Sequence, residues 1–132
     1  MSVAAAKILV VDDDSESRDL LSEFLGANGY AVDAVADGFA AWQALTEGPE
    51  HYGIIIADLR MPGHTGWELL RKIRQRNSKE RIVLMSSFVS GADRKLAEDL
   101  GAQGLLEKPF RLSELLRVVG ELSSSNAMGI PS

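Results

Sequence analysis

The chain contains no cysteine, so disulfides and thiolate metal sites are excluded. It has no excess of positive charge: 14 Lys and Arg stand against 19 Asp and Glu, a formal net charge of −5. No Lys/Arg cluster stands out along it, and direct nucleic-acid binding is not expected. It also lacks a long apolar run, since none approaches the roughly 20 residues that span a bilayer. The first seven residues, Met1 to Lys7, are too short and too weakly apolar for a signal peptide. Neither a G-x-G-x-x-G nor a P-loop lysine motif is present. The expectation is a soluble cytoplasmic domain without direct nucleic-acid or membrane contact.

What the chain does have is enough apolar material for one core. It is 132 residues long and 45% hydrophobic, which suits a single domain. Apolar runs alternate with helical patterns. Strands are expected at Lys7–Val11, Tyr30–Ala36, Gly53–Asp58, Arg81–Ser86 and Gly104–Leu106. The first and third are apolar throughout, as when both faces are covered. Helices are expected from Ser15 to the Asn28-Gly29 stop, at Phe39–Thr46, at Trp67–Arg76 after the turn Met61-Pro62-Gly63, at Ala92–Leu100 before Gly101, and at Leu112–Leu122. Five βα units in series give an α/β fold: a doubly wound, five-stranded parallel sheet with five helices on both faces. Residues 1–6 read as an N-terminal extension, 7–122 as the domain and 123–132 as a disordered tail or linker start.

Chemistry concentrates at strand ends. Val10-Val11 leads directly into Asp12-Asp13-Asp14, and Ile54-Ile55-Ile56-Ala57 into Asp58. If these strands are parallel neighbours, three carboxylates meet at one sheet edge, where like charges repel and desolvation adds to the cost. N-capping explains one of them, a role that Asp14 or Ser15 fills. The surplus points to a hard divalent cation, and Mg²⁺ suits the site better than zinc, since no His or Cys lies near in sequence. Asp58 beside such an ion is a candidate nucleophile. Ser86 ends the fourth strand, Lys108 lies just past the fifth, and both fall on the same rim. A cis Lys108-Pro109 bond would fix where the amine points. His51 and His64 read as exposed loop residues, Trp42 and Trp67 as packing residues, and Arg71, Lys72, Arg74 and Arg76 as a solvated basic face.

Four segments together, Ile8–Asp14, Ile54–Gly63, Met85-Ser86-Ser87 and Lys108-Pro109-Phe110, closely resemble the chemotaxis-regulator-like receiver domain of two-component response regulators. The resemblance runs from about Lys7 to Leu122. It implies the flavodoxin-like strand order 2-1-3-4-5. It implies that Asp58 accepts a phosphoryl group from a sensor histidine kinase or a histidine phosphotransfer protein. It also implies that Asp13, Asp58 and the Arg60 main-chain carbonyl ligate Mg²⁺, that Asp12 reaches the metal through water, and that Ser86 and Lys108 hold phosphoryl oxygens. The output face would combine the Ala92–Leu100 helix, the fifth strand and the last helix, acting on a downstream effector, with the kinase docking through the Ser15–Leu25 helix. Such a domain is a phosphoacceptor and not an enzyme acting on other molecules.

There are departures from the family pattern. Leu105 stands where the family often has an aromatic, so any signal must travel by other packing changes. Ser87 replaces a small residue, and Phe88 with Arg60 would line the site entrance and slow attack by water on an acyl phosphate. The alternatives are a pseudo-receiver that binds partners without phosphorylation, and an enzyme on a similar sheet. Arg60, where an aspartate-based phosphatase has a second acid, argues against the latter.

Overall fold

The computed structural model describes residues 7–49, 51–60, 65–76 and 80–127. The turn Met61-Pro62-Gly63, His64, residues 1–6 and the end of the tail lie outside them. The elements are β1 (Ile8–Val11), α1 (Ser15–Ala27), β2 (Val32–Val35), α2 (Gly38–Glu47), β3 (Ile54–Asp58), α3 (Gly66–Gln75), β4 (Arg81–Ser86), α4 (Gly91–Asp99), β5 (Gly104–Glu107) and α5 (Leu112–Ala127). The sheet has the order β2-β1-β3-β4-β5, and every pairing is parallel. Among the described residues no helix is long and apolar enough to cross a membrane.

Strand side chains alternate faces, and each face packs its own core. Leu9, Val11, Ile55, Ala57, Ile82 and Leu84 meet Ala41 of α2, Leu69, Leu70 and Ile73 of α3 and Ala97 of α4. Ile8, Val10, Ile54, Ile56, Val83 and Met85 meet Leu21 and Leu25 of α1 and Leu115 and Val119 of α5. β1 and β3 are buried along their whole length, which is why they carry no polar alternation. Trp42 and Trp67 pack against the first of these cores, as expected of them. His51 is exposed.

Helix starts follow local chemistry. Asp14, Asp37, Thr65 and Ser90 cap α1, α2, α3 and α4 through their side chains. Thr65 with Glu68 and Ser90 with Asp93 form reciprocal capping boxes. Gly29 and Gly101 take positive φ just past α1 and α4, at 95° and 78°, where a Cβ would be strained. One boundary differs from expectation: α5 continues to Ala127, so residues 123–127 are helical instead of an irregular tail. Serine and asparagine are only mildly unfavourable once a packed helix is propagating, and no Gly or Pro intervenes between Leu122 and Gly129.

The α3 basic face is also not simply solvated. Lys72 and Arg76 lie over the Trp42 ring, and Arg76 pairs with Glu80. Arg74 donates to the carbonyls of Leu100 (3.2 Å), Gly101 (2.6 Å) and Glu80 (3.2 Å) and to Gln103 Oε1 (3.3 Å). It thus ties α3 to the end of α4. Sequence periodicity places these side chains on a face but not against acceptors that are distant in the chain. Arg74→Met keeps the stem and removes the donors. Urea unfolding should show a loss of about 1.5–3 kcal/mol, as for hydrogen bonds to charged groups. A change within about 0.5 kcal/mol, typical of a free surface side chain, would contradict the clamp.

Candidate functional site

β1 and β3 pair in register, with Val11 opposite Ala57. The next residue along each chain is an aspartate, so Asp12 and Asp58 emerge side by side at the carboxyl end of the sheet. One carboxylate oxygen from each of Asp12, Asp13 and Asp58 lies within 4.8 Å of the others. Asp12 is fully buried and Asp58 is 8% exposed, whereas Asp13 is exposed.

Lys108, the residue after β5, reaches across this edge. Its Nζ lies 2.7 Å from Asp58 Oδ2 and 3.2 Å from Asp12 Oδ2. Its main chain is pinned by Lys108 N–H donating to the Ser86 carbonyl at 2.7 Å, and the Lys108-Pro109 bond is cis. Burial acts to lower the lysine pKa. The hydrogen bond and charge of Asp58, joined by those of Asp12, outweigh it, and the ammonium titrates above its ordinary 10.5.

The remaining carboxylate contacts are local. Asp58 Oδ1 accepts from Arg60 N–H at 2.9 Å, and Asp12 Oδ1 from Asp14 N–H at 3.0 Å. Three ionised carboxylates against one ammonium leave a formal −2. All the side-chain donors are hard oxygens. Charge and donor type both suit a divalent cation such as Mg²⁺.

Ser86 closes β4 on the same rim and is fully buried. Its hydroxyl is not aimed at Asp58: Oγ donates to the Phe88 carbonyl at 2.9 Å and accepts from Phe88 N–H at 3.3 Å. Phe88 itself is 61% exposed. Leu105, on β5, is partly buried against the core on the α3 and α4 side of the sheet. The structure therefore gathers Asp12, Asp13, Asp58 and Lys108 into one contact group, with Ser86 at the end of β4 and Arg60 on the loop after β3.

Two contributors lie outside the sequence expectations. A Cβ on Gly66 would meet the Asp58 carbonyl oxygen at 2.7 Å and Leu59 Cα at 2.9 Å, so α3 can start this close to the strand end only with glycine there. Arg18 donates from α1 to the Asp12 carbonyl at 2.8 Å. The T-x-x-E capping box beginning at Thr65 is a sequence signal that fixes the α3 start, and Gly66 sits inside it. No sequence signal marks the Arg18 contact.

A parallel sheet with an acidic, lysine-bridged site at its carboxyl edge is the arrangement of a receiver-type signalling domain. The chain belongs to the response regulator receiver domain family, whose model matches residues 8–120. It is 39% identical over 118 residues to the transcriptional regulatory protein GltR of Pseudomonas aeruginosa, covering 88% of this chain and 48% of GltR. It is 36% identical over 109 residues to the transcriptional regulatory protein TctD of Salmonella typhimurium, covering 83% of this chain and 48% of TctD. The chain thus spans about half the length of these relatives. Among solved structures it is similar to the Vibrio cholerae chemotaxis response regulator CheY4, with a TM-score of 0.79 at 30% identity, covering 89% of this chain and 98% of that one.

The Lys108 bridge has a pH signature. Because the folded pKa is raised above 10.5, its stabilisation is fully present below 10.5 and is lost as pH rises through the higher folded value. In Mg²⁺-free buffer, the stability gap between wild type and Lys108→Met should be widest at neutral pH and close at strongly alkaline pH. A gap that does not narrow as pH rises contradicts the bridge.

Proposed function

We propose that Asp58 accepts a phosphoryl group from a phosphohistidine on a sensor histidine kinase or histidine phosphotransfer protein, in a Mg²⁺-dependent reaction, and that the modified site switches the face formed by α4, β5 and α5. The convergence of Asp12, Asp13, Asp58 and Lys108 at one strand edge carries this reading. An Asp58 carboxylate oxygen forms a bond to phosphorus as the bond from phosphorus to the imidazole nitrogen breaks. Asp13, Asp58 and the Arg60 carbonyl would hold the ion directly, and Asp12 through water. When bound, Mg²⁺ supplies positive charge against the carboxylates and the transferring oxygens.

The chain's own groups do the positioning. Lys108 is already within hydrogen-bond reach of Asp58 and can follow a phosphoryl oxygen. Ser86 has one hydroxyl proton, spent on the Phe88 carbonyl. To donate to a phosphoryl oxygen it must release that carbonyl, which frees the loop leading to α4. The change is a population shift driven by new charge-assisted bonds. Leu105 in place of an aromatic leaves the relay to packing between α4 and β5, where a cleft of about 330 Å³ is lined by Arg94, Glu98, Gln103 and Leu105. The partner would dock beside Asp58 through α1, where Leu20 is 53% exposed. The setting in this reading is the cytoplasm. No observation favours a phosphorylation-independent module, which would have no use for an acidic site bridged by lysine.

Labelling by a small-molecule phosphodonor such as acetyl phosphate, followed by mass spectrometry, tests the acceptor. Wild type should gain one phosphoryl group in Mg²⁺, and Asp58→Asn or chelation should abolish it. Persistent labelling of Asp58→Asn would remove Asp58 from its role. The exposed Phe88 ring beside Ser86 would shield the acyl phosphate from water, so Phe88→Ala should shorten the phosphoryl half-life several-fold. An equal or longer half-life contradicts shielding.

A further inference from the structure

Every polar atom of the buried Asp12 is satisfied by a different stretch of chain. Its N–H donates to the Val35 carbonyl at 3.2 Å. Oδ1 accepts from Asp14 N–H and Oδ2 from Lys108 Nζ. Its carbonyl accepts from Arg18 Nη1 at 2.8 Å. The last bond is not part of the helix. Asp14 caps α1 through Glu16 N–H, and the Asp14 carbonyl takes the first helical bond, from Arg18 N–H. The Asp12 carbonyl therefore lies outside the α1 ladder, on a residue that is itself fully buried and where an unpaired oxygen is costly. Arg18 reaches back six residues to satisfy it with a charged donor.

The consequence falls on Asp13. The Asp12 carbonyl and the Asp13 N–H belong to one planar peptide unit. Holding that oxygen fixes the plane, and with it the direction in which Asp13 leaves the strand end. Asp13 is exposed, and among the described residues its carboxylate has no hydrogen-bond partner. Its backbone alone thus sets it within reach of the Asp12 and Asp58 oxygens.

We propose that Arg18 is a positioning residue of the acidic site: through the Asp12 carbonyl it orients the Asp12–Asp13 peptide and so presents Asp13 to a divalent cation. This rests on the metal-dependent reading given above. A guanidinium acting by charge alone would repel the ion, and its removal would tighten binding. A guanidinium acting by position does the reverse, and the two are separable by the sign of one measurement.

Mg²⁺ titration of the full chain by calorimetry, paired with thermal unfolding in Mg²⁺-free buffer, makes the test. In Arg18→Met the Mg²⁺ Kd should rise about 10- to 100-fold, the range for lost outer partners of metal ligands. Acetyl phosphate labelling of Asp58 should then need more Mg²⁺ but recover at saturation. Arg18→Lys, which keeps a charged donor, should restore part of the affinity, and it carries the comparison if the Met variant does not fold. Wild-type binding with an unchanged or tighter Kd in the variants overturns the role of Arg18 alone, whatever the Tm does. No Mg²⁺ binding by the wild type overturns both this role and the metal-dependent reading.

Discussion

One ammonium group holds together an arrangement that electrostatics opposes. Asp12 and Asp58 are buried side by side because two strands run parallel and in register, and each strand ends at an acid. Left alone, the pair would repel in a poorly solvated site. Lys108 bridges both carboxylates from the far side of the sheet, and its own desolvation is more than offset by them. The bridge is only partial compensation. Asp13 adds a further negative charge that no side chain among the described residues neutralises, and this residual charge makes the cluster one that could hold a cation.

The rest of the fold keeps this tension local. Both faces of the sheet are sealed by separate apolar clusters, so the rim can carry uncompensated charge without exposing the core. Buried aliphatic side chains such as Ile55 and Ile56 each contribute roughly 1.5–3 kcal/mol by leaving water. Against that background a rim that is strained electrostatically is tolerable. Stability and function therefore lie at different heights along the same strands: apolar in the middle, acidic at the carboxyl end.

In the proposed reading, the connection from site to surface would run through β4 and α4. Ser86 is committed to the Phe88 backbone, the loop beyond Phe88 ends at the Ser90 capping box, and α4 is fastened at its other end by Arg74. In that reading, a helix released at its start and clamped at its finish would pivot instead of sliding. With Leu105 on the neighbouring strand, a pivot of this kind would be read through aliphatic packing and not through rotation of a ring.

Much of this was legible in the amino-acid order. Each expected element is found within two residues at both ends, the last helix excepted, because apolar periodicity and capping chemistry are local signals. The strand-end positions of Asp12, Asp58, Ser86 and Lys108 were readable for the same reason. The partners were not. That Ser86 bonds the Phe88 backbone, that Arg74 clamps α4, that Gly66 abuts the Asp58 carbonyl and that Arg18 holds the Asp12 carbonyl all depend on how segments meet in space. Periodicity says which way a side chain faces, while the identity of what it touches is set by strand order and helix docking, and those are properties of the whole chain.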